Sequence, residues 1–259
     1  MGELNLLFRK RIGYPQDETV TFEKVDTILE KTAKSIPFEN LCIITNKTAA
    51  ISKENLKNRI LLKNEGGLCY DLNTILYYFL IENGFNVSLV QGVVHNHNTK
   101  QWSSTGRTHV AIVITYNGQR FLIDTGFGGN LPLKPVPFSG EIVTSQNGEF
   151  RVEQSDTEHG NYIFHIKLKH KDQDWKVGYA FNTRKSVDES DLNEVQKIII
   201  EHPESSFNKK PLITRFTDRG NLILTDTSLT EWANGKMIKK DIDPQQFKLI
   251  AKEQFGISD

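Results

Sequence analysis

The sequence predicts an α+β chain in three stretches: helical over residues 1–84, an antiparallel sheet or barrel over 85–184, and a smaller α/β region over 185–259. Three observations carry this. Apolar residues recur three or four apart up to Gly84, the period changes to two from Phe85, and helical spacing returns at Leu192. With no repeat, low-complexity tract or flexible linker between them, the three regions are expected to pack as one body.

The first helix runs from Glu3 to Ile12 with Leu4, Leu7 and Phe8 on one face, and Gly13-Tyr14-Pro15 breaks it. Thr21 is the expected N-cap of a second, whose Phe22, Val25, Ile28, Leu29 and Thr32 share a stripe and which Pro37 ends near Ile36. Ser52 caps a third, carrying Leu56, Ile60 and Leu61. A fourth begins near Cys69, carries Leu72, Ile75, Leu76, Phe79 and Leu80, and stops at Asn83-Gly84. Alternation then appears at Phe85, Val87 and Leu89 and at Val93 and Val94, before a polar tip at His95-Asn96-His97-Asn98. His109 to Tyr116 and Gln119 to Asp124 read as strands joined by Asn117-Gly118, a strong two-residue hairpin signal. Phe164 to Leu168 and Trp175 to Phe181 form a further pair around Lys171-Asp172-Gln173-Asp174. The last region holds a helix over Leu192, Val195, Ile198 and Ile199. Strands at Leu212–Thr217 and Leu222–Leu229 turn about Asp218-Arg219-Gly220-Asn221, and Asp243-Pro244 starts a final helix.

Lys plus Arg and Asp plus Glu both number 32, so no net field attracts nucleic acid or an anionic membrane, and neither partner is expected. The N-terminus alternates apolar and charged residues, unlike a signal peptide, and no apolar run approaches the roughly 20 residues of a membrane span. Two cysteines are too few for a disulfide scaffold, which suits a reducing, cytoplasmic setting. Cys42, in Leu41-Cys42-Ile43-Ile44, reads as core filler.

Cys69 differs. It stands between Gly66-Gly67 and the start of a helix, where unpaired N–H groups and the positive end of the dipole favour a thiolate and the glycines leave room beside the sulfur. A small buried hydrophobe would look similar, so partners are required. The hairpin supplies them. If Tyr116 faces Gln119, Ala111 lies opposite Asp124, and His109, on the same face as Ala111, becomes a diagonal neighbour of Asp124 at about 7–8 Å of backbone separation. The carboxylate can then hold one ring nitrogen and leave the other for the Cys69 proton.

Four segments resemble the arylamine N-acetyltransferases: Pro37-Phe38-Glu39-Asn40-Leu41; Gly66-Gly67-Leu68-Cys69-Tyr70-Asp71-Leu72-Asn73; Ser104-Thr105-Gly106-Arg107-Thr108-His109; and Asp124-Thr125-Gly126-Phe127-Gly128. The similarity is close over about the first 130 residues and general after that. It implies a helical bundle, a β-barrel and an α/β lid around a cysteine-protease-like core, with Cys69, His109 and Asp124 as the catalytic triad. Acetyl-CoA would be the cosubstrate, met near the thiol by Ser104, Thr105 and Gly106. An arylamine or hydrazine would be the acceptor, walled by Phe38 and Phe127. Two positions depart from the family pattern: Glu65 stands where an Arg usually precedes the glycine pair, and Asp71 where a Glu usually follows the cysteine by two. An amide synthase, a thiol hydrolase or a transglutaminase-like enzyme would use the same triad, and a non-catalytic binding module would leave Cys69 unreactive. No metal site is expected, since His95 and His97 lack a third convergent ligand. Oligomeric state and the residues that meet the CoA phosphates are not readable from the sequence.

Overall fold

The structure, a computed structural model, describes residues 2–257. Helix α1 (Glu3–Ile12) ends on Gly13 in the left-handed conformation, and α2 (Val25–Ser35) follows a short 3₁₀ turn at Phe22–Lys24. Thr21 precedes that turn but makes no side-chain cap. The two-residue strand β1 (Phe38–Glu39) leads into α3 (Leu41–Ile44), which buries Cys42 in the core as expected. Ser52 caps α4 (Lys53–Leu56) by accepting from the Asn55 amide at 3.3 Å, and the chain then widens into a π-helical turn, Lys57–Leu62. Helix α5 (Cys69–Glu82) is apolar nearly all round because it is covered nearly all round: Ile75, Leu76, Phe79 and Leu80 are fully buried. Phe79 stacks on Phe8 of α1 with ring centroids 4.5 Å apart.

The barrel is a curled antiparallel sheet of β2 (Asn86–Asn96), β3 (Gln101–Trp102), β4 (His109–Tyr116), β5 (Gln119–Ile123), β6 (Val136–Pro137), β7 (Val143–Thr144), β8 (Gly148–Thr157), β9 (Gly160–Leu168) and β10 (Lys176–Asn182). The strand order is β6-β5-β4-β2-β10-β9-β8-β7, β3 pairs with β2, and β6 meets β8 to bring the sheet nearly to closure. Strand β4 explains the near-continuous apolar run Val110–Ile114. Its Ala111 and Val113 fill the barrel beside Phe150, Phe164 and Phe181, while Val110, Ile112 and Ile114 belong to the core that α5 builds on the other face. Tyr116 pairs with Gln119 across Asn117-Gly118, both at positive φ, so the predicted register holds as far as Ile112 opposite Ile123.

The last region comprises α6 (Glu189–Glu201), β11 (Leu212–Thr217), β12 (Gly220–Thr225), β13 (Ser228–Ala233), β14 (Lys236–Asp241) and α7 (Pro244–Phe255). The continuous strand expected over Leu222–Leu229 is in fact two, broken at Asp226-Thr227 where the Thr225 hydroxyl accepts from the Thr227 and Ser228 amides. Strands β11–β14 form a meander whose free side takes β1, with Phe38 opposite Thr214. Helix α6 turns the other way and packs Leu192, Val195 and Ile199 into the core of the N-terminal helices. Among the described residues no helix is long and apolar enough to cross a membrane.

Candidate active site

Cys69 is the first residue of α5 and is 8 % exposed. Its thiol donates to the Thr108 carbonyl at 3.4 Å and borders the same cavity as His109. His109 gives Nε2 to Asp124 Oδ2 at 2.7 Å, so Nδ1 is the nitrogen left for the sulfur. The three residues expected to meet do so, on two elements: the cysteine on a helix, the other two on the β4–β5 hairpin.

Asp124 is 1 % exposed and saturated with donors. Oδ2 also accepts from the Tyr179 hydroxyl at 2.9 Å, and Oδ1 accepts from Asn73 Nδ2 at 2.9 Å and the Gly126 amide at 2.8 Å. Asn73, one turn along α5 from Cys69, uses its whole amide. Nδ2 also donates to the Val110 carbonyl at 2.7 Å, and Oδ1 accepts from the Thr125 amide and hydroxyl at 2.9 and 3.1 Å. Helix and hairpin are thus fixed to each other next to the reacting atoms. A Cβ on Gly126 would run into the backbone of Cys69 and come 2.8 Å from Asn73 Nδ2, which is why the chain has glycine there.

Burial lowers the basicity of His109, but the Asp124 charge, its hydrogen bond and the contact with Cys69 outweigh it and push the pKa from 6.5 to about 10. The imidazolium is the form that this site favours at neutral pH. Tyr179, its ring tilted 46° against His109 with centroids 4.3 Å apart, is pushed up by burial and by the Asp124 charge, and so stays a donor.

These groups open into a cavity of about 750 Å³. Phe38 and Phe127 line it, together with Trp102 and Phe207, which the sequence alone did not single out. Ser104 and Thr105 reach the wall, whereas Gly106 is not part of it and instead makes the turn at φ +70° that returns the chain to Thr108. Hydroxyls run in series from Ser103 through Thr105 to Thr108, at 2.8 and 2.9 Å. Among the described residues no Lys or Arg lines the cavity; its ionisable walls are Cys69, Tyr70, His109 and Glu204, and Glu204 accepts from Ser104. Tyr179 was also not foreseen, although a tyrosine on the inward face of an alternating strand signals a buried polar partner.

A family model described as N-acetyltransferase matches residues 21–258. A probable arylamine N-acetyltransferase of Dictyostelium discoideum is 30 % identical over 93 % of this chain and 88 % of its own length. The chain belongs to the arylamine N-acetyltransferase family. An uncharacterized acetyltransferase of Bacillus subtilis is 38 % identical over 92 % of each chain. The solved arylamine N-acetyltransferase NAT3 of Bacillus cereus is 43 % identical, covers the whole of both chains and superposes with a TM-score of 0.95. That enzyme is described as having a unique Cys-His-Glu triad; in this member of the family the carboxylate on His109 is an aspartate. As an arylamine N-acetyltransferase the protein is an acyltransferase.

Proposed function

We propose that the protein transfers acetyl from acetyl-CoA to an arylamine or hydrazine in two half-reactions through an acetyl-cysteine at Cys69. The observation that carries this reading is the His109–Asp124 hydrogen bond, with His109 and Cys69 lining one aromatic-walled cavity. In the first half, Cys69 sulfur attacks the thioester carbonyl; the C–S bond to CoA breaks, and the departing CoA sulfur takes the proton from His109 Nδ1. Cys69 stands at the N-terminus of α5, and His109 Nδ1 takes its proton as the sulfur attacks. In the second half, the amine nitrogen attacks the acetyl carbon, Nδ1 accepts the proton that the nitrogen sheds, and Cys69 sulfur leaves. Asp124 keeps its hydrogen bond to His109 Nε2 and holds the ring so that Nδ1 faces the sulfur.

The flat walls at Phe38, Phe127, Trp102 and Phe207 suit an aromatic acceptor, and the hydroxyls of Ser104 and Thr105 suit the amide-bearing arm of CoA. The two free cysteines suit a reducing compartment, so the cytoplasm is the expected location. Intact-mass measurement after mixing with acetyl-CoA tests the first half: one added acetyl group, absent in Cys69→Ala and discharged by an aromatic amine, is the expected result. A wild-type protein that stays unmodified, or that hydrolyses amides without CoA, overturns the reading in favour of a thiol hydrolase.

A further inference from the structure

Beneath the loop that delivers Cys69 lies a buried charge cluster that the acetyl-transfer chemistry does not use. Glu39, Asp71 and Arg59 are 2 %, 0 % and 6 % exposed, and Glu65 sits half-buried at its edge. Both buried carboxylates hold backbone amides of the nucleophile loop. Glu39 Oε1 accepts from Gly66 at 3.2 Å while its Oε2 accepts from Leu41 at 2.5 Å, and Asp71 Oδ2 accepts from Leu68 at 3.0 Å, capping the helix that starts at Cys69. The guanidinium of Arg59 ties the two sides together: Nη1 donates to Asp71 Oδ1 at 3.1 Å and Nε to Glu65 Oε2 at 3.2 Å.

The chain reaches this geometry by an unusual route. Arg59 projects from the π-helical turn Lys57–Leu62, and the Arg59 carbonyl in addition accepts from the Glu65 amide at 3.0 Å. Burial pushes the Glu39 carboxyl up to about 7 and raises Asp71 as well, and the Arg59 charge opposes both shifts. Without that charge the loop would rest on buried carboxylates with nothing to balance them.

We propose that Arg59 is the positioning residue of the nucleophile loop: from the π-helical turn it holds Asp71, which caps the helix at Cys69, and Glu65, which precedes the glycine pair.

The test removes the charge from position 59 and then restores it across the pair at position 65. In Arg59→Gln, single-turnover acetylation of Cys69 at saturating acetyl-CoA should fall about 100-fold, as for a reacting atom displaced by roughly 1 Å, with the acetyl-CoA concentration for half-saturation nearly unchanged. Arg59→Gln combined with Glu65→Arg should recover most of that loss. Arg59→Lys should recover little, because an ammonium cannot fork between Asp71 and Glu65. Iodoacetamide alkylation of Cys69 on the same variants reports the loop without any CoA. The acetylation readout rests on the acetyl-transfer reading, so failure of that reading leaves even the wild type unacetylated while alkylation still ranks the variants. A double variant no faster than Arg59→Gln in both readouts, or an Arg59→Lys protein with wild-type rates, overturns the proposal. Should Arg59→Gln not fold, the lysine variant and the double variant decide between the same outcomes.

Discussion

Replacing Asp124 by Asn removes one charge and almost no volume, and the hydrogen bonds around it dictate the result. Asn73 Nδ2 and the Gly126 amide can only donate, so the new amide must keep its oxygen on their side and turn its NH₂ toward His109 and Tyr179. The tyrosine hydroxyl can rotate to accept. His109 Nε2 can accept only as neutral imidazole with its proton on Nδ1, the nitrogen that must take protons from the reacting groups. The climb of the His109 pKa from 6.5 to about 10 corresponds to about 5 kcal/mol in favour of imidazolium, and it depends chiefly on the Asp124 charge. We therefore expect Asp124→Asn to slow Cys69 acetylation about 10³- to 10⁴-fold at pH 7, the range for a triad whose ring takes the wrong tautomer. Rapid-quench intact-mass measurement gives the rate, and near-ultraviolet circular dichroism shows that the fold survives. The same charge sets a pH signature. The folded-state pKa of His109 lies above its unfolded value, so its stabilisation is complete below about pH 6.5 and is lost as pH rises through about 10. Denaturant titrations from pH 6.5 to 10 should show wild-type stability falling relative to the variant. A folded variant within tenfold of the wild-type rate, or parallel stability curves, refutes the reasoning.

Tyr179→Phe leaves the tilted ring contact with His109 and removes one donor from Asp124 Oδ2. Acetylation should slow about fivefold, the kinetic equivalent of roughly 1 kcal/mol, measured under single turnover. Gly126→Ala forces a methyl group against the Cys69 backbone, so acetylation should be lost and the urea midpoint should drop by the equivalent of about 1–3 kcal/mol.

The parts of the fold legible in the sequence were those set by local rules. Asn117-Gly118 fixed the register that brings His109 to Asp124, and Asn83-Gly84 and Asp243-Pro244 marked helix ends at their observed places. Strand β14 was not read because it is exposed throughout, and β8 because only its first half, with Phe150 and Val152 buried, has an inward face while its outer half is polar on both sides. In the site, the triad could be placed because hairpin geometry transmits spacing from sequence to space. Tyr179 and Arg59 could not, since each meets its partner across a large sequence gap or through a π-turn, and no periodicity records either.

Strand β1 is only two residues long, yet its backbone faces two ways. On one side the Glu39 amide donates to the Gly67 carbonyl at 3.0 Å and the Gly67 amide to the Pro37 carbonyl at 3.3 Å; on the other, Phe38 pairs with Thr214. The residue two positions before the nucleophile is therefore the outermost rung of a ladder that continues through β11, β12 and β13 to β14. The C-terminal region acts less as a cover laid over a finished centre than as the far half of the frame that holds it. A chain cut short of Leu212 would leave β1 paired on one side only and the Cys69 loop anchored to a strand with a bare edge. In a chain made from its N-terminus, Cys69, His109 and Asp124 are all synthesised before residue 130, but the rungs that set Phe38 and the nucleophile loop close only once β11 has emerged. Reactivity at Cys69 should therefore appear late, only once β11 has paired with β1.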